Sequence, residues 1–242
     1  PDGSYFQAIL FDNFNPVAII EQNVNLGKRN NLNFNTQMSY DILDNLTWSA
    51  NYAQQFTTFT GGTFYPSNSL FRGFDRTGLA SRRTDESKFT LFETYGTYTK
   101  DFDNANLTIS GGYSFQEDQA TGFNMEAGNF PTNDIGYNII SASGNILGDG
   151  ANVSLSSYES PENRIIAFFG RMNLNLNNGI FLNASVRREG STKLGEDNRW
   201  GTFPAVGVGA DLLQYLDLAA FTQLKIRAGY GVTGSLPGPS GL

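Results

Sequence analysis

The dominant signal along the chain is alternation of apolar and polar residues. Leu32, Phe34, Met38, Tyr40 and Ile42 alternate with Asn31, Asn33, Asn35, Gln37, Ser39 and Asp41. Side chains on a strand point to opposite faces with a period of two, so this spacing predicts a long strand with one apolar face and one asparagine-rich face. After a turn at 43–45 the pattern resumes in Leu46, Trp48, Ala50 and Tyr52, which predicts a hairpin. Residues 88–100 are rich in aromatics and Thr, but Phe89, Leu91 and Phe92 occupy both parities and leave the facing open. Beyond a turn cluster at 101–106, Leu107, Ile109, Tyr113 and Phe115 alternate with Thr108, Ser110, Ser114 and Gln116. Phe168, Met172, Leu174 and Leu176 then alternate with Arg171, Asn173, Asn175 and Asn177, and Asn178-Gly179 is the strongest short hairpin signal in the chain. Ile180, Leu182, Ala184 and Val186 form the next apolar row. Val206, Val208, Ala210 and Leu212 follow, opposite Gly207 and Gly209. The last run sets Leu224, Ile226, Ala228, Tyr230 and Val232 against Lys225, Arg227, Gly229 and Gly231.

These runs amount to about eight strands of roughly 10–14 residues, longer than the mode of about 5–6 in soluble sheets and at or beyond the roughly 9–11 that cross a bilayer at a tilt. Tight connections at 43–45, 101–105 and 177–179 alternate with long ones at 60–87, 118–163 and 190–199. Only the link at 213–223 breaks this size rule, and Leu212 to Phe221 reads as a short helix. Short turns at one end and long loops at the other are the topology of an outer-membrane barrel. The expected fold is therefore all-β, an antiparallel transmembrane β-barrel wall that forms one domain over 1–242. Its apolar faces meet lipid, and its polar faces meet water in a wide lumen. The competing reading is a soluble glycan-binding β-sandwich, which needs a second layer over each apolar face.

Composition sharpens this picture. The 242 residues include no Cys and no His, 16 Lys+Arg and 23 Asp+Glu, for a net charge of −7. Structural zinc, Cys/His and Ser-His-Asp nucleophiles, and haem or iron–sulfur ligation by the usual residues are excluded, as is a disulfide scaffold. The acidic balance argues against a nucleic-acid partner. Charged residues make up 16%, against roughly 25% in soluble domains, as suits strands with one face in lipid. No run of about 18 apolar residues is present, so no transmembrane helix is expected. The first residue is Pro1, and both ends read as cuts within a longer chain.

Chemistry-bearing motifs are sparse. The carboxylate neighbours Asp85-Glu86, Glu117-Asp118 and Glu196-Asp197 are adjacent on loops. A glycosidase instead needs two carboxyls facing each other about 5–9 Å apart, so no enzyme activity and no cofactor is expected. Asp149-Gly150 is a turn signal without calcium-loop spacing. Gly229-Tyr230-Gly231-Val232-Thr233-Gly234 matches a dinucleotide fingerprint by letter, but Pro237 and Pro239 bar the helix that such a site needs. The loop aromatics Phe64, Tyr65, Phe71 and Phe74, with Arg72 and Arg76, are candidates to stack on sugar rings or grip a peptide, as are Phe123, Phe130 and Tyr137. Packing of the loops onto themselves or onto a partner is the alternative.

Three segments resemble one family. Arg188-Glu189-Gly190-Ser191-Thr192-Lys193-Leu194-Gly195, followed by Asn198-Arg199-Trp200-Gly201-Thr202-Phe203-Pro204, is similar to the R-x-D-G-S-S-x-F-G and N-x-x-W-G-x-F-P stretches of SusC/RagA-like TonB-dependent transporters. Leu224-Lys225-Ile226-Arg227-Ala228-Gly229-Tyr230-Gly231-Val232-Thr233-Gly234 is similar to their L-K-L-R-A-S-Y-G-x-T-G strand, and Asn15-Pro16-Val17-Ala18 resembles their N-P-L-A segment. Glu189, Thr192 and Ser235 are mild departures. The resemblance implies a middle-to-late part of a 22-stranded barrel whose lumen is plugged, with the plug and the closing strands outside these residues. It further implies outer-membrane lipid as surroundings, a SusD-like surface lipoprotein and the TonB complex as partners, and oligosaccharides or peptides as substrates. A passive porin-like or structural barrel, or a surface adhesin, is the alternative in another class. Arg188 and Glu189 with Asn198 and Arg199 are expected to cluster at an outer rim, flanked by Trp200 and Phe203, and to close a loop rather than bind substrate. The other motif residues, Gly190, Ser191, Gly201, Pro204, Lys225, Arg227, Tyr230 and Gly231, are expected to be structural.

Overall fold

The computed structural model describes residues 5–6, 14–148, 152–176, 179–217 and 220–236. Asn178 of the expected hairpin, the Asp149-Gly150 turn, residues 218–219 of the expected short helix, and Pro237 and Pro239 lie outside these residues.

Among the described residues the chain forms a short helix, α1 (Pro16–Gln22), and nine strands. The strands are β1 (Val24–Leu43), β2 (Leu46–Tyr65), β3 (Leu79–Phe102), β4 (Ala105–Gly128), β5 (Ser154–Glu159), β6 (Asn163–Leu176), β7 (Ile180–Ser191), β8 (Trp200–Asp211) and β9 (Lys225–Gly231). A helical turn, α2 (Gly144–Leu147), precedes β5. The Asn15-Pro16 segment caps α1: Pro16 opens the helix, where its missing N–H costs nothing, and the Asn15 side chain accepts from the Val17 N–H at 2.9 Å. All strands belong to one sheet in the order β1-β2-β3-β4-β6-β7-β8-β9, with β5 paired to β4. β5 and β6 flank Pro161, which has no N–H to donate to β4; beside it, the Ser160 hydroxyl accepts from the Ala120 N–H at 2.7 Å. In hydrocarbon an open sheet edge is not tolerated, so β1 and β9, each with one neighbour in the sheet order, require further strands of a larger barrel.

The chain divides into two compact units. The second holds the described parts of Asn33–Gln55, Phe89–Asp118 and Pro161–Leu242, and here the registers make the rows from β4 to β9 explicit. Leu107, Leu174, Leu182, Val208 and Ala228 pair across five strands, as do Ile109, Met172, Ala184, Val206 and Tyr230. The alternate rows read Thr108, Asn173, Asn183, Gly207, Gly229 and Ser110, Arg171, Ser185, Ala205, Gly231. One face is thus continuously apolar, and the other is polar or bare glycine. The apolar band covers 105–115 on β4 and 166–176 on β6, and 32–42 on β1 shows the same alternation. These lengths match the roughly 9–11 residues that span a tilted barrel wall. The open question of β3 is resolved. Trp48 donates its indole N–H to Thr94 at 2.7 Å on the side of the apolar residues, whereas Tyr95 lies near Phe169, with ring centroids 6.3 Å apart, on the polar face.

The first unit holds the described parts of Pro1–Leu32, Phe56–Lys88 and Gln119–Ser160. Here the expected loop ranges need correction. Residues 60–65 and 79–87 belong to β2 and β3, and 118–128 to β4. Alternation vanishes because both faces of this part of β3 are polar, as in Arg82, Arg83, Thr84, Asp85, Glu86 and Ser87. The true connections, 66–78 and the described parts of 129–153, are tied to each other. The Asn129 N–H donates to the Arg76 carbonyl at 2.7 Å, the Phe130 N–H to the Thr77 carbonyl at 2.9 Å, and Arg76 Nη2 to the Asn152 carbonyl at 2.6 Å. Thr77 sits at φ 50°, a strained position for a β-branched residue, held by these bonds. The third long range, 190–199, narrows to 192–199, and the expected helix from Leu212 contributes one 3₁₀ turn, Leu212–Gln214.

Candidate functional site

The polar face of the second unit carries charged, hydroxyl and aromatic side chains around one cavity. A cavity of about 550 Å³ is lined by Glu93, Tyr95 and Thr97 from β3, Ser110 from β4, Phe169 and Arg171 from β6, and Ser185 and Arg187 from β7. Arg187 Nε donates to Glu189 Oε2 at 2.7 Å, since residues two apart on a strand share a face. Among the described residues, Arg171 and Glu93 have no ion-pair partner, so opposite charges line one cavity beside two aromatic rings. Towards β9 the same face becomes a groove of about 690 Å³ floored by Gly207, Gly209, Gly229 and Gly231 and flanked by Phe181, Asn183 and Arg227. The Lys225 ammonium lies 5.5 Å from the Phe181 ring centroid. Gly229 and Gly231 of the fingerprint-like run are therefore strand positions that expose backbone to the polar side, Gly234 lies past the end of β9, and 232–236 is not helical.

The first unit holds a second polar cavity, of about 480 Å³, lined by residues that include Arg29, Phe59, Arg83, Asp85 and Tyr158. Arg83 Nε donates to Asp85 Oδ2 at 2.6 Å, and the Tyr158 hydroxyl donates to Asp85 Oδ1 at 3.1 Å. Burial, and then the bond to Asp85, hold the Tyr158 phenol above its ordinary pKa. Gly122 leaves the space that the Tyr158 ring fills, because a Cβ there would come within 2.2 Å of that ring.

The loop aromatics divide into three groups. Phe64 and Phe130, expected at a binding surface, are instead buried, 3% and 5% exposed, and meet edge to face at 5.7 Å with Ala80 and Tyr137 around them. These two are core residues: with Ala80 they form a buried cluster against which Ile135, Tyr137 and Ile140 pack. Tyr65 and Phe71 pack edge to face at 5.7 Å, Phe71 also meets Phe14, and Arg72 lies over the Tyr65 ring while pairing with Glu126 at 3.1 Å. Phe74 and Phe123 remain exposed.

Of the expected Arg188, Glu189, Asn198 and Arg199 cluster, Arg188 stands apart from the other three. Successive strand residues face opposite ways, so Arg188 lies on the apolar face with its guanidinium 5.6 Å from the Trp200 ring, while Glu189 turns to the polar face. Glu189, Asn198 and Arg199 line a small cavity of about 120 Å³ with Phe203, and Arg199 reaches Glu196 at 3.6 Å. Trp200 and Phe203 also lie on opposite faces. The motif glycines make room for these rings. A Cβ at Gly190 would sit 2.9 Å from Trp200, and one at Gly201 would sit 2.6 Å from Phe203. Ser191 is buried, and its backbone N–H donates to the Arg199 carbonyl at 3.1 Å. Pro204 pairs with Val186, and Tyr230 with Val206, on the apolar face. The sequence reading did not single out Arg187, Glu93, Tyr95, Arg83 or Tyr158, and took Asp85 only as one of two adjacent loop carboxylates. The i, i+2 spacing of Arg187 with Glu189 and of Arg83 with Asp85 was the available signal; Glu93, Tyr95 and Tyr158 depend on register.

The comparisons agree with this architecture. A family model described as "TonB dependent receptor-like, beta-barrel" matches residues 2–242. "TonB-dependent receptor P3" of Formosa agariphila is 29% identical over 97% of this chain and 23% of its own length. "TonB-dependent receptor SusC" of Bacteroides thetaiotaomicron is 36% identical over 30% of this chain and 8% of its own length. Among solved structures, the RagAB peptide transporter superposes with a TM-score of 0.80 at 16% identity, covering 90% of this chain and 24% of the other, a likeness of fold. The chain thus spans about 23% of the length of the first of these relatives. Its alternating wall, its long strands and the match over nearly every residue establish that the chain belongs to the TonB-dependent receptor-like β-barrel family of the outer membrane.

Proposed function

We propose that these residues form part of the wall and loops of a SusC-like, TonB-dependent importer that takes up oligosaccharides or peptides together with a SusD-like lipoprotein. The observation that carries this reading is the polar face within the apolar band, where Arg171 and Glu93 stand unpaired beside Tyr95 and Phe169 around one cavity. Unpaired charges at membrane depth on a water-facing surface mark a solute path more often than a structural contact. Aromatic rings beside them suit sugar or peptide surfaces equally, so both substrate classes remain in the reading. The packed first unit suits contact with a lid protein, because a connection held by its own core presents a fixed surface.

Uptake of labelled oligosaccharides and of peptides by cells carrying the full-length protein tests the reading. Import that stops on deletion of TonB and weakens several-fold in Arg171→Ala supports it. Uptake that is indifferent to TonB and to proton-motive force indicates a passive pore, and none of either substrate indicates a structural barrel.

A further inference from the structure

At one end of the apolar band the lipid-side face changes character. The row Tyr113, Phe168, Arg188, Thr202 pairs across four strands, and the next row is Phe115, Ile166, Gly190, Trp200. Phe168 stacks on Trp200 with centroids 6.4 Å apart at 20°, and Tyr113 meets Phe168 at 5.4 Å. Aromatic belts of this kind mark the lipid headgroup level. Arg188 is the cation of this row, fixed over the Trp200 ring. Its sequence neighbour Glu189 is on the opposite face and bound to Arg187. Two further carboxylates, Glu117 and Glu162, are both held by Arg164 at 2.5 Å. Among the described residues, the Arg188 guanidinium, the Thr202 hydroxyl and the Trp200 indole N–H have no acceptor. Three unsatisfied donors, one of them cationic, with no acid among them and at headgroup level, call for an anion rich in oxygen acceptors.

We propose that Arg188, Trp200 and Thr202 bind the phosphate of an anionic membrane lipid on the outer wall of the barrel. The acyl chains would lie along the rows below, over Val186, Pro204 and Val206. Juxtamembrane cations attract anionic lipid, and here the ring stack holds the cation in place before the lipid arrives. The site faces lipid rather than solute, so it stands whether or not the import reading holds.

The test is native mass spectrometry of the full-length protein in detergent, titrated with phosphatidylglycerol, phosphatidylcholine or inorganic phosphate. The expected result is one fewer tightly bound phosphatidylglycerol in Arg188→Gln than in the parent, with affinity at that site reduced at least five-fold. Arg188→Lys should keep the adduct in weakened form, Thr202→Val should reduce it about two-fold, and Arg199→Gln in the 192–199 connection should leave it intact. A thermal melt run alongside separates binding from folding: phosphatidylglycerol should raise Tm in the parent and in Arg188→Lys more than in Arg188→Gln. The proposal is overturned if Arg188→Gln binds phosphatidylglycerol like the parent, if phosphatidylcholine binds equally well, or if inorganic phosphate alone fills the site.

Discussion

The two units are built from the same strands yet obey different rules. In the second unit each residue's face is dictated by solvent: Leu182 and Asn183 are neighbours in sequence, one paired with Leu174 and Val208, the other with Asn173 and Gly207. Among the described residues no layer covers the apolar face, and in lipid none is needed. In the first unit lipid no longer imposes alternation, and stability is local. It rests on a small core of Phe64, Ala80 and Phe130 and on bonds between two connections. The contrast teaches that one β-strand can carry an alternating stretch and a stretch without alternation in succession, and that charge enters the apolar row near the change, as at Lys28 on β1, Lys88 on β3 and Glu117 on β4.

Substitutions can break this comparison from either side. The largest effect is expected in the first unit, where Phe130→Ala removes a buried ring and should cost about 3–5 kcal/mol locally. Hydrogen exchange should then rise across 66–78 and 129–148 while β6–β8 stay protected; a uniform rise would show that the two units share one core. In the second unit, Leu182→Arg places a charge in mid-band and should cost about 2–4 kcal/mol in lipid-reconstituted unfolding, whereas Asn183→Arg, one residue away, should cost near zero. Next in size, Gly190→Ala drives a methyl into the Trp200 indole and should cost about 1–3 kcal/mol, and the paired change Gly190→Ala with Trp200→Ala should recover part of the loss. The smallest effect concerns pH. The Tyr158 phenol is raised above 10.0 in the folded protein, so its contact with Asp85 contributes below that value and is lost as pH climbs through the folded value. An absorbance titration should show one tyrosine fewer ionising late in Tyr158→Phe.

Much of the second unit was legible in sequence, because lipid and water together force a period of two. Alternation gave the facing of β1, β2, β4 and β6–β9, and the resemblance gave the family. The rest was not legible for physical reasons. β3 carries Phe89 and Phe92 on different parities, so only the partners of Trp48 and Tyr95 decide its facing. The strand extensions at 60–65, 79–87 and 118–128 mix glycine, Thr and charged residues with their few apolar ones and read as loop. Phe64 and Phe130 looked like exposed loop aromatics until the two connections came together around them. Arg188 and Glu189 looked like one cluster because adjacent letters hide opposite faces.

The central claim is that successive residues of one strand meet lipid and water in turn, and β7 tests it most directly. The chain has no Cys, so single cysteines can be placed at residues 181 to 187 of the full-length protein, with any cysteine elsewhere replaced by serine. Labelling in intact outer membranes with a charged, water-soluble maleimide should modify positions 181, 183, 185 and 187 and spare 182, 184 and 186. Equal labelling of both sets, or protection of the odd positions, would contradict the account.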